Sequence, residues 1–324
     1  MKKLSRIILA LLFIMVMTIT VLSSAQAADV SDKRYIFVTM ITGHPFWTEI
    51  KQGAQDAADQ LGAKFEFRGP LEWDAAAQAS QVEQLIITRP AGFIIGSYDP
   101  SMTATINKAV EAGIPVVTID SDAPKSKRAT FIGPDHYMMG RSYGEWMANA
   151  LNGKGEVGLL TAVAQTNLNE RIRGIKEYFA QHAPGMKVVA IEDNKGDDQI
   201  TADKTKAIIQ AHPEVDGIIC VNGTGSGIGV AIKEMNKVGK LKVLTSDVSD
   251  PLLKGILDGA IDTTAFQNIY LEGYYAVKIL FDIVNGNLDK VPGKSVGVHL
   301  TPPTVNPGVF FITKENAASF LSGK

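Results

Sequence analysis

Short, almost wholly apolar runs alternate with longer amphipathic segments from Arg34 to Asn285, and this alternation constrains the fold more than any other feature of the chain. Runs such as Phe93-Ile94-Ile95 and Ile218-Ile219-Cys220-Val221 lack the in–out alternation of a half-exposed strand. Strands of that kind are covered by helices on both faces, the condition found inside a parallel sheet. The pattern predicts strands over 35–40, 63–67, 92–96, 114–119, 156–161, 187–191, 217–221, 242–245 and 263–266. It predicts helices over 45–61, 74–88, 101–112, 137–151, 169–182, 201–211, 226–237, 250–258 and 270–285, the first with Pro45 in its opening turn. Repeated β–α units imply parallel pairing and doubly wound sheets. So many elements suit two sheets better than one very wide one. The expected class is α/β, with two doubly wound parallel-sheet lobes.

The N-terminus bears on compartment. Lys2, Lys3 and Arg6 precede an apolar stretch over 7–22, and Ala25 and Ala27 stand at the −3 and −1 positions of a cleavage site. This is the pattern of a secretory signal peptide cleaved after Ala27, which places the mature chain in the periplasm. No later segment approaches the roughly 18 apolar residues of a spanning helix. The only cysteine, Cys220, lies inside an apolar run, so neither a lipid anchor nor an internal disulfide is expected of it. The chain has 32 basic and 34 acidic residues, and removal of Lys2, Lys3 and Arg6 leaves 29 against 34, a net −5. A mildly acidic surface argues against nucleic acid or anionic membrane as a partner.

In open parallel sheets, ligands bind beyond the carboxyl ends of the strands. The residues there are informative. The first strand is followed by His44-Pro45-Phe46-Trp47, the fourth by Asp120-Ser121-Asp122, and the fifth by Asn167, Glu170 and Arg171. Later strands end in Asn222-Gly223-Thr224-Gly225, Ser246-Asp247 and Gln267-Asn268. Carboxylates and amides bind hydroxyl pairs, an arginine supplies a fork of donors, and aromatic faces cover the C–H face of a ring. This set suits a sugar or polyol. The candidate ligand-binding residues are Phe46, Trp47, Asp120, Arg171, Asn222, Asp247 and Gln267, with His44 and Asp122 beside them.

The stretches His44-Pro45-Phe46-Trp47, 112–120, Glu170-Arg171 with Gly174, 216–222 and Thr245-Ser246-Asp247, in this order and spacing, resemble the ribose/galactose-type (type I) periplasmic binding proteins over essentially the whole mature chain. The resemblance implies two similar lobes joined by a three-segment hinge, with crossings near Asp135, Asn268 and Leu300. The expected division is a signal peptide over 1–27, a first lobe of 28–134 plus 268–300, and a second of 135–267 plus 301–324. It further implies no enzyme activity, no cofactor, a monomeric state, and a membrane partner: an ABC-type permease, or else a chemoreceptor or sensor kinase. Three departures argue against ribose itself. Ser121 and Asp122 follow Asp120 where ribose binders have arginine, His44 replaces an asparagine, and a second-lobe aromatic is replaced around Gly196.

Simpler roles compete for these residues. Asp120, Asn222 and Asp247 could cap the helices that follow them, Phe46 could be core, and Glu170 could orient Arg171. Asp74 reads as a helix start rather than a site. The run 223–229 fails the spacing of a dinucleotide loop, and its glycines point instead to close packing. The five histidines show no i, i+3 or i+4 pairing, so no metal is expected. Adjacent Asp120 and Asp122 are not a flanking acid and base, which disfavours a glycosidase. A regulator would need a basic helix-turn-helix where the signal peptide stands.

Overall fold

A computed structural model describes residues 33–44, 46–288 and 301–321. The expected signal peptide, Pro45 and Leu300 lie outside the described residues. Strands β1 (Arg34–Val38), β2 (Lys64–Arg68), β3 (Gly92–Ile95), β4 (Val116–Ile119) and β5 (Thr130–Ile132) alternate with helices α1 (Trp47–Gln60), α2 (Ala75–Ile86) and α3 (Met102–Glu111). After α4 (His136–Ala150) the same order returns. Strands β6 (Lys154–Thr161), β7 (Gly185–Asp193), β8 (Gly217–Cys220), β9 (Lys242–Ser246) and β10 (Thr263–Gln267) alternate with α5 (Thr166–His182), α6 (Asp198–Ala211), α7 (Ser226–Glu234) and α8 (Asp250–Leu257). Helix α9 (Ile269–Val284), short strands β11 (Thr304–Val305) and β12 (Val309–Ile312), and a 3₁₀ turn at Ala317–Phe320 follow.

Among the described residues there are two six-stranded sheets, ordered β11-β5-β4-β3-β1-β2 and β12-β10-β9-β8-β6-β7. All pairings are parallel except β10 with β12. Each sheet is therefore doubly wound, and the two repeat one topology. The apolar strands behave as their composition requires. Tyr35 and Phe37 face a core with α1 and α9, whereas Ile36 and Val38 face one with α2 and α3. In the second sheet Leu159 and Ile219 face α4 and α5, and Leu160, Ile218 and Cys220 face α6, α7 and α8. Cys220 is free and buried.

Three strands went unread in the sequence: β5, β11 and β12, of three, two and four residues. β5 and β11 are too short for usable periodicity, and β12, no shorter than β3, β4 or β8, has no helix between it and β11 to mark it as part of a β–α repeat. These three strands also locate a passage between the sheets. Thr304 and Val305 pair with β5 in the first sheet, and Val309 pairs with Gln267 in the second. The chain therefore crosses over residues 306–308, past the position expected near Leu300, and 304–305 belong with the first sheet.

The lobes share a packing device. A Cβ on Gly53 of α1 would sit 2.0 Å from the Tyr270 carbonyl oxygen of α9, and one on Gly273 would sit 2.0 Å from that of Ile50. In the second lobe a Cβ on Gly140 of α4 would lie 2.0 Å from the Arg171 carbonyl oxygen of α5, and one on Gly174 2.2 Å from that of Tyr137. Glycine pairs thus let the helix entering each lobe lie against the helix that follows its first strand. Gly140→Ala is expected to destabilise the protein by about 1–3 kcal/mol or more in denaturant melts, because backbone must move. Gly229→Ala, whose Cβ would meet Ile261 at an ordinary 3.4 Å inside α7, should be neutral or mildly stabilising.

Candidate ligand-binding site

Parallel strands in both sheets bring their carboxyl ends to one place. A cavity of about 560 Å³ lies there, within the range of small-molecule sites. His44, Phe46, Trp47 and Asp120 line it from the first lobe, and Arg171, Asn222, Asp247 and Gln267 from the second-sheet strand ends and α5. Eight of the nine candidate residues therefore converge. Asp122 does not line the cavity. Its carboxylate receives Arg128 Nε at 2.6 Å and Thr118 Oγ1 at 2.7 Å, so it serves the turn after β4.

The floor is a network of buried polar groups. Asp120 accepts from Tyr98 Oη and, at 2.8 Å, from Gln267 Nε2. Burial, followed by the Asp120 charge, pushes the Tyr98 phenol well above its ordinary pKa, so it stays a donor. Arg171 is only 2% exposed. Its Nε donates to His136 Nδ1 at 3.1 Å, one Nη to the Val221 carbonyl at 2.8 Å and the other to Gln267 Oε1 at 3.3 Å. A guanidinium has five N–H donors, so two remain for the cavity. Asn222 and Asn194 exchange two side-chain bonds of 2.9 Å, and Thr224 donates to Asn222 Oδ1 at 2.8 Å.

The capping alternative fails for the second-lobe residues. Ser249 caps α8, and the residue before α7 is Gly225 without a side-chain bond. Asp120 precedes no helix; it ends β4 in the left-handed region at φ 55°, and Asp247 ends β9 at φ 67°. Glu170 does not orient Arg171 but pairs with Arg173 at 2.5 Å. Asp74 does cap α2, through Ala77 N–H. Within 223–229, Gly225 and Gly227 are packing residues, since a Cβ on Gly225 would meet Thr245 and one on Gly227 the Asp198 carbonyl.

Asn167, which follows the fifth strand but is absent from the candidate set, also lines the cavity, and Trp73, Tyr98 and Lys195 escaped the sequence reading. Trp73, Tyr98 and Lys195 follow β2, β3 and β7. Trp47 is nearly closed off, stacked edge-on against Phe37 at 5.4 Å, so the aromatic surface open to the cavity comes from half-buried Phe46 and from Trp73, 44% exposed. Asn167 Oδ1 is buried without a partner among the described residues. No described residue donates a hydrogen bond to the Asp247 carboxylate. Glu272, buried in the first turn of α9, has no partner for either oxygen among the described residues, and burial, then the Asp120 charge, push its carboxyl well above the usual range.

This chain matches the family model of the periplasmic binding protein domain over residues 35–288. The chain belongs to the periplasmic binding protein family. A D-ribose/D-allose-binding protein of Pseudomonas aeruginosa is 25% identical over 277 residues, covering 82% of this chain and 86% of the relative. A sugar-binding protein of a sugar ABC transporter from Bacillus halodurans superposes with a TM-score of 0.81 at 31% identity, covering 89% of this chain and all of that one. A solute-binding protein from Burkholderia graminis, solved with D-arabinose, gives 0.82 at 32% identity, with 90% and 99% covered. Members of this family are binding proteins, and this chain is a periplasmic binding protein rather than an enzyme.

Burial pushes the Asp247 carboxyl up to about 6, with Arg171 opposing and Asp120 adding to the rise. A carboxyl raised on folding is protonated more readily in the native state, so its charge destabilises the fold above pH 6 and that penalty fades as pH falls toward 4. Asp247→Asn should therefore stabilise the empty protein at pH 8 by about 1–3 kcal/mol and leave it unchanged at pH 4, read from denaturant melts at both values.

Proposed function

We propose that this periplasmic binding protein captures a monosaccharide or polyol between its lobes, closes over it by bending at the three crossings, and delivers it as a monomer to an ABC-type permease. The observation that carries this reading is the set of unspent hydrogen-bonding groups in one cavity. The Asp247 carboxylate, Asn167 Oδ1 and two Arg171 N–H groups are unspent, and all three residues line a cavity bordered by Phe46 and Trp73. Vicinal hydroxyls both donate and accept, and so satisfy such a set, while the rings cover an apolar sugar face. Groups from both lobes contact one ligand fully only when the lobes are closed, so ligand shifts the population toward the closed form.

The names of the relatives support this class, since they bind ribose, allose or arabinose. Ribose is not the expected ligand here. Ser121 after Asp120 turns away to donate to the Ser97 carbonyl at 2.7 Å, and Asp122 is held by Arg128, so no cation follows Asp120 into the cavity. The remaining parts of the proposal are export by a signal peptide cleaved after Ala27 and two lobes of 28–134 with 268–300 and 135–267 with 301–324, adjusted so that 304–305 join the first.

A thermal-shift screen of ligand-stripped protein against pentoses, hexoses, inositols and polyols tests the reading. A sugar at a hundred times its Kd should add about 2.7 kcal/mol, a rise of several degrees in Tm. Trp73→Ala should weaken the same sugar without changing the melting of the empty protein, and Arg171→Ala should abolish the shift. A folded, empty protein that responds to nothing in the panel overturns the sugar reading.

A further inference from the structure

His136 stands in the first turn of α4, directly after Asp135, whose carboxylate caps the helix through Met138 N–H at 2.9 Å. The imidazole is buried and is not among the cavity-lining residues, yet it joins two that are. Its Nε2–H donates to the main-chain carbonyl of Asp120, and its Nδ1 accepts from Arg171 Nε at 3.1 Å. One ring makes both bonds only as the neutral, Nε2-protonated tautomer. Gln267 makes a matching bridge between the same two residues, donating to Asp120 Oδ1 and accepting from Arg171 Nη. Asp120, His136, Arg171 and Gln267 thus close a ring of hydrogen bonds where the chain passes between lobes.

We propose that His136 is a positioning residue of the binding site, holding the Arg171 guanidinium and the Asp120 turn in fixed register across the lobe junction. With Nε spent on His136 and one N–H of each Nη on Val221 or Gln267, one N–H on each Nη is left unspent. At Asp120 the left-handed turn is pinned on both sides, by His136 at the carbonyl and by the Ile132 carbonyl at the N–H, 3.1 Å away. Gly140, one turn along α4, presses on the Arg171 main chain, so the same helix places both the backbone and the side chain of Arg171. Burial, then the Arg171 charge, lower the imidazole to about 4, so the Nδ1 lone pair stays available at neutral pH.

This role rests on the cavity being the sugar site, and one arm of the test is independent of that. In ligand-free protein, nitrogen NMR of the His136 ring should show the neutral Nε2-protonated tautomer from pH 8 down to 5. The opposite tautomer, or titration near the ordinary histidine value, overturns the proposal. With D-arabinose as probe, His136→Ala should weaken binding about tenfold or more. His136→Gln and His136→Asn retain one acceptor and one donor, and at least one of them should restore most of the loss. His136→Ala should add little in an Arg171→Ala background, because coupled residues are non-additive. Unchanged affinity in His136→Ala, no rescue by either amide, or simply additive losses would each overturn it. If the parent protein ignores D-arabinose, the sugar reading fails on that probe, and the ring tautomer still decides the placement of His136.

Discussion

Strand direction is the constraint on which the rest of this molecule depends. A parallel pair cannot be joined by a tight turn, so the connections within each sheet are crossovers, helical except for the loop from β4 to β5, and every strand from β1 to β10 then ends on the same side of its sheet. Loops at that side escape the helix layers and are free to carry polar residues, while the strands beneath must be apolar on both faces. Two such sheets, with their carboxyl ends brought together, leave a cavity between them. The chemistry of the site is thus confined to loops, to strand ends such as Gln267, and to the opening turns of helices, Arg171 among them.

The cavity floor shows how a buried cation is accommodated without a hydrogen-bonded carboxylate. Arg171 meets an imidazole, a carbonyl and an amide, while Asp120 is held by a phenol and the same amide. The charges compensate through this intervening layer and not by direct pairing. Fully satisfied networks of this kind are rigid, and half-satisfied ones are costly. Of the groups left open around this floor, Asn167 borders the cavity, and the Glu272 carboxyl is pushed well above its usual range by burial, then by the Asp120 charge.

Much of this was legible in the sequence, because two strong signals coincide: apolar runs that tolerate no exposed face, and polar residues placed just after them. Asp120, Arg171, Asn222, Asp247 and Gln267 were found by position alone. Trp73, Tyr98 and Lys195 obey the same rule and were reachable by applying it to β2, β3 and β7. Asp122 satisfied the rule and still lies outside the cavity, because Arg128 and Thr118 hold its carboxylate in the turn after β4. His136 was out of reach. Nothing in the order of residues says that a histidine opening a helix will meet an arginine 35 positions later. β5 and β11 were invisible for want of length, and β12 because it stands outside the β–α alternation, and with them went the place of the last crossing.

Those short strands have a bearing on self-association. The outermost strand of a sheet exposes unpaired main-chain groups that can template a neighbouring molecule. Here one sheet ends in β11, of only two residues, and in β2, where Lys64, Glu66 and Arg68 alternate with Phe65 and Phe67. The other ends in the four-residue β12 and in β7, whose ladder with β6 is broken by a register shift at Val157/Gly158 and which carries Lys187, Glu192 and Asp193. Among the described residues no sheet edge is at once long, flat and apolar. Among the described residues, two copies meeting edge to edge would find only short, charged or register-shifted strands to extend, so the outline of the sheets works against edge-to-edge stacking alongside their charge.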